Sequence, residues 1–150
     1  MRPPQQEAPQ PLTHLVQQIA EYGTIREHFH HLCATFSEYC AHVDIPGLAG
    51  ERDANRDEYR IRVLDRVVKL VLSPRALDSA LCGHVQTIEC VPGAERLVGS
   101  FSLGSTGDLT DEHGAVQFTV GAQSRAAQLT FFGNFIYSFL GRSKPIAKGE

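Results

Sequence analysis

The chain has 150 residues, 42% of them hydrophobic and 21% charged, which is the balance of a globular domain and excludes a disordered one. One core suffices at this length, since such a domain buries roughly 70% of the surface its unfolded chain exposes. The formal charge of −3, from 14 basic and 17 acidic residues, argues against nucleic-acid binding, which calls for a basic excess or stripe.

Residues 1–11 place Pro3, Pro4, Pro9 and Pro11 among Gln and Glu and read as a flexible lead-in. The start has no apolar run of the signal-peptide kind. No later run reaches the length of a membrane span, so a soluble cytoplasmic protein with no membrane partner is expected.

From Leu12 the pattern is helical. Steps of three and four residues pick out Leu12, Leu15, Ile19, Tyr22, Phe29, Cys33, Phe36, Cys40 and Val43, with Arg26 as the one polar interruption. Thr24 and Glu27 have the spacing of a capping box just after Gly23. The spacing predicts a helix over about 12–43 or a helix pair broken at Gly23, and the cap favours the break. Pro46 and Gly47 end it.

Residues 46–57 read as a polar connecting loop. The period then becomes two: Tyr59, Ile61 and Val63 alternate with Glu58, Arg60 and Arg62. Further strands are expected at Val67–Leu72, Val85–Val91, Arg96–Leu103 and Val116–Val120, separated by turns that include Gly104–Asp108 and Asp111–Gly114. The last element, Gln128–Phe139, reads as a long bent strand or a strand followed by a short helix. Short turns between successive strands imply antiparallel neighbours. The fold expected is therefore α+β: the N-terminal helix or helix pair packed on an antiparallel β-meander of four to six strands over about 58–140. Residues 12–143 form one domain, and 144–150 a flexible tail.

The residues that could carry chemistry are sparse. His28, His31, Glu38 and His42 fall on one helical face and could ligate a transition metal, although a solvated face explains them as well. Cys33, Cys40, Cys82 and Cys90 form no C-x-x-C pair and read as free thiols. Gly99–Asp108 is glycine-rich but lacks the ending and the strand–loop–helix context of a phosphate loop. Arg60, Arg62 and Arg66 could form a positive strip on one strand face. Phe131, Phe132, Phe135, Ile136 and Phe139 make the last element apolar on both faces, as a central strand or a subunit interface would be.

Three functions follow. The first is a non-catalytic interaction or binding protein acting as a homodimer or on another protein, with those aromatic residues as the interface. The second is a small-ligand-binding or enzymatic domain with a pocket between helices and a curved sheet. It would be lined by His84, Gln86 and Tyr137, and if catalytic it would use His84, Asp108 and His113. The third is a metal-binding protein using the histidine face. The first is favoured. An enzyme is not favoured, and no cofactor is predicted.

Overall fold

The computed structural model describes residues 9–45, 47–53, 55–77, 80–121 and 124–143. Of the lead-in expected over residues 1–11, residues 1–8 lie outside them, as does the tail over 144–150, while residues 9–11 already belong to the first helix. Among the described residues the order is α1 (Pro9–His42), β1 (Ala49–Asp53), β2 (Glu58–Val63), β3 (Arg66–Leu77), β4 (Ala80–Val91), β5 (Ala94–Leu103), β6 (Asp108–Thr110), β7 (Val116–Thr119) and α2 (Arg125–Ser143). The strands form one curled antiparallel sheet in chain order, each paired with the next. The α+β architecture is the expected one, a long N-terminal helix on a meander. The strand count is seven where four to six were expected, and the meander spans 49–119.

The N-terminal helix is one element, without a break at Gly23. Arg26 leaves the apolar stripe to make an ion pair. Its Nε and Nη2 donate to the two carboxylate oxygens of Asp57, both at 3.0 Å, and His30 Nε2 donates to the same carboxylate at 3.1 Å. The charge that seemed to interrupt the helix is thus its latch to the β1–β2 turn. Asp57 sits in left-handed backbone at φ 52°, a conformation Asp adopts more readily than most residues.

The helix buries Ile25, Phe29, Leu32, Cys33, Phe36, Tyr39 and Cys40. These pack on one face of the sheet, made by Tyr59, Ile61, Val63, Val68, Leu70, Leu72, Val85, Leu103, Leu109, Phe118 and Val120. Gly83 lies where α1 crosses β4. A Cβ there would come within 2.7 Å of Ile25 and 2.8 Å of Leu72, so any other residue would push those side chains aside and glycine lets the helix approach this closely.

Two expectations fail at the sheet's ends. Residues 46–57 contain β1, whose polar sequence hid its edge-strand role: Ala49–Asp53 pairs on one side only. Residues 125–143 form a helix, not a strand. Phe132, Ile136 and Phe139 recur at i, i+4, i+7, and Phe131 and Phe135 flank them on the same side. A short run apolar on both faces does not by itself separate strand from helix. The start signal is Ser124, whose Oγ accepts the Ala127 amide at 3.2 Å. Phe132 packs at a tilt on Phe36 of α1 at 4.3 Å between centroids and on Phe118 of β7 at 5.6 Å, which ties both helices to the sheet.

Burial opposes ionisation of Asp57, but the bonds from Arg26 and His30 outweigh it and hold the carboxyl below its ordinary range. A lowered folded-state pKa contributes stability above the unfolded value, and that contribution is lost as pH falls through the folded value. Asp57→Asn keeps the left-handed backbone acceptable and removes the charge. It is expected to cost about 1–2 kcal/mol in urea unfolding at pH 7. The difference from the parent protein should shrink below about pH 4. An unchanged midpoint at pH 7 would show that the latch contributes nothing.

Candidate functional site

A cavity of about 890 Å³ opens between the covered sheet face at β4 and β5, the β6–β7 turn and α2. Phe101, Phe131, Phe135 and Phe139 make its apolar wall. Thr87 and Phe139 are its most buried lining side chains, each 3% exposed. Asn134 and Ser138 come from the exposed side of α2, and Asp111, Glu112 and His113 from the β6–β7 turn at the rim.

The strand register explains the polar floor. Val85 and Leu72 are partners on the covered face, so alternation puts Thr87 and Glu89 on that face too. The β4–β5 register shifts between Thr87 and Ile88. Thr87 opposes Gly99, Ile88 opposes Leu97, and Val98 is the extra residue. Such a bulge bends the strand beside the site. Gly99 presents no side chain opposite Thr87.

Beside Thr87 lies a buried ion cluster. Glu89, with a side chain only 6% exposed, accepts from Arg96 Nη2 at 2.6 Å through one oxygen. Its other oxygen accepts from Arg66 Nε and Nη2 at 3.4 Å. The Arg66 guanidinium also lies 4.9 Å from the centre of the Phe139 ring, a cation–π arrangement on a cavity-wall residue. Two guanidinium groups on one carboxylate leave one net positive charge among the three. The Thr87 hydroxyl and Arg96 Nε are buried without a hydrogen-bond partner. Buried polar groups are nearly always bonded, so both orphans point to a missing partner.

The rim is organised differently. Asp111 accepts the backbone amides of His113 and Ala115, each at 2.9 Å, and the Gln117 side-chain amide at 2.9 Å. The Ala115 amide leads in holding its carboxyl below the ordinary range. Asp111 therefore shapes the turn that frames the mouth.

Of the residues singled out in the sequence, the catalytic candidate His113 lines the cavity, and so do the interface candidates Phe131, Phe135 and Phe139. His84 and Gln86 lie on the opposite sheet face, because they alternate with Val85. Burial and the Arg75 charge keep the His84 imidazole below its usual pKa. Tyr137 is 79% exposed. The Asp108 carboxylate accepts from Thr119 Oγ1 at 2.8 Å and from Thr106 Oγ1 at 3.2 Å within its own hairpin. Phe132, Ile136 and Phe139 are buried in the core, and Phe131 and Phe135 are half-buried against it.

On the histidine face, His28 Nε2 donates to the Ser105 carbonyl at 3.0 Å and His42 Nδ1 to the Glu38 carbonyl at 2.8 Å. His31 is exposed, and so is Glu38. Among the described residues no three His, Cys, Asp or Glu side chains converge as a metal site. The four cysteines are free. Cys33 and Cys40 are buried, and burial pushes the Cys33 thiol up to about 12. Arg60 and Arg62 are exposed, whereas Arg66 pairs with Val63 on the covered face and joins the ion cluster.

Thr87→Val exchanges an unpartnered buried hydroxyl for a methyl of nearly the same volume. The variant is expected to be more stable than the parent by about 1 kcal/mol in denaturant unfolding of the ligand-free protein. A loss of that size instead would show that the hydroxyl is bonded within the chain. Compared with protein-family models, with curated proteins and with solved structures, the chain matches none.

Proposed function

We propose that this chain is a small-ligand-binding domain and that the cavity between the sheet and α2 is its site. The observation that carries this reading is the Thr87 hydroxyl, buried and unpartnered on the floor of a cavity walled by phenylalanine. Ligand pockets are largely apolar with a few placed polar groups, and their volumes span roughly 300–1,000 Å³. The bulge at Thr87 and the polar side chains that α2 turns toward the opening fit the same reading.

A neutral apolar fluorophore, N-phenyl-1-naphthylamine, tests it. Saturable one-to-one binding is expected in the parent protein. Asn134→Trp adds a large side chain at the cavity edge from an exposed helix position. It is expected to weaken that binding by about tenfold or more, or about 1.4 kcal/mol, with the melting temperature unchanged. Equal binding by the two proteins would remove the cavity as the site.

A second reading rests on a separate observation. In the first third of α1, Leu12, Leu15, Val16 and Ile19 are exposed by 50–62%. They follow i, i+3, i+4, i+7 spacing and form one stripe. An antiparallel pairing about a two-fold axis between Leu15 and Val16 sets Leu12 against the partner's Ile19 and Leu15 against the partner's Val16. Residues 9–20 contain no Asp, Glu, Lys or Arg, so no like charges face each other across the axis. The stripe thus supports self-association through α1, with the two cavities left open. Light scattering should report a dimer for the parent and a monomer for the Leu15→Glu, Ile19→Glu double variant. A parent that is monomeric at high micromolar concentration would rule this reading out.

A further inference from the structure

The groups around the buried end of the cavity also bear on which end of a ligand enters first. This step rests on the cavity being a binding site. We propose that the ligand is an amphipathic carboxylic acid, bound with its carboxylate inward at Thr87 beside the Arg66–Glu89–Arg96 cluster and its apolar body along Phe101, Phe131 and Phe135.

Three observations support this orientation. The Thr87 Oγ–H and Arg96 Nε–H are both donors left without acceptors, and both belong to the same sheet face around the β4–β5 bulge. What they lack in common is an acceptor. Next, the cluster next to Thr87 on the same sheet face holds two guanidinium groups against one carboxylate, which puts cationic groups close to that end of the cavity although none of the three residues lines it. Arg96 keeps a side chain 41% exposed, which leaves it room to reorient. Finally, the mouth is acidic. Asp111 and Glu112 stand at the rim, so a carboxylate left outside would face like charges. Solvent screens both rim carboxylates, so this bias is small and only adds to the pull of the two donors. The wall offers aromatic surface for an aliphatic or aromatic body.

The test is a matched series in the intact chain: dodecanoic acid, dodecan-1-ol, dodecanamide and dodecylamine. Each displaces the neutral fluorophore at pH 7 below its own aggregation concentration. The acid is expected to bind about tenfold tighter than the alcohol, since one added charge-assisted contact is worth that much. Arg96→Gln should weaken the acid about tenfold more than the alcohol and so erase the preference, with a cooperative thermal unfolding transition showing that the variant is folded. Thr87→Val should weaken the acid more than the alcohol. If the alcohol, amide or amine binds as tightly as the acid, or if Arg96→Gln keeps the preference, the head-group proposal is overturned. If the fluorophore binds and none of the four competes, the proposal fails and the cavity remains a site. If the fluorophore also fails to bind, both fall.

Discussion

A seven-stranded sheet is wider than one helix. Its six inter-strand gaps span roughly 29 Å, and a helix with its side chains covers about 10–12 Å. One apolar sheet face therefore needs two helices, or it stays wet. Here α1 packs on β1, β3 and β4, and α2 on β7. The two helices meet where Phe36 packs against Phe132, and that contact closes the core. Away from it, α2 and the sheet diverge over β5. The cavity is the part of the covered face that neither helix fills.

That origin explains the polar residues on a face that is otherwise apolar. Glu89 and Thr87 continue the inward alternation from Val85, and in a filled core they would be costly. Glu89 is tolerable because Arg66 and Arg96 bond both its oxygens. Thr87 has no such compensation. The fold spends stability at this position, and departures of this kind concentrate at functional sites. The opposite sheet face has buried charges of its own: Glu58 keeps one carboxylate oxygen without a partner, and Lys69 is buried beside it. Lys69 pairs with Glu95 at 2.7 Å there, beside the exposed Arg60 and Arg62.

The long helix has two regimes. Its C-terminal two thirds are held by core packing and by the Arg26–Asp57–His30 latch. Its first third carries the same apolar spacing but buries none of it against this chain. Tertiary packing stabilises most protein helices more than intrinsic propensity does. The stripe from Leu12 to Ile19 therefore stands apart, continuous with the core seam in sequence and separate from it in contacts. The cavity and this stripe come from different elements, so ligand binding and self-association are compatible in one chain.

The sequence by itself determined the helical N-terminal region, though not that it is one unbroken helix, and with it the antiparallel meander and the α+β order, because each rests on local periodicity and short turns. It also placed the turns at Gly104–Asp108 and Asp111–Gly114, the second of which frames the mouth of the cavity. It did not determine the inward face of β4. Val85 and Ile88 are both apolar and lie on opposite faces, so the period-two pattern fits either orientation. Pairing with Leu72 decides it and sends Thr87 inward and His84 outward. Nor could it place Arg26, whose partner Asp57 is 31 residues away. The run from Phe131 to Phe139 is apolar enough for a strand or a helix, and the uncovered width of the sheet is what a helix was needed to fill. The site was illegible for one reason: it is the space between elements whose separate patterns are each complete without it.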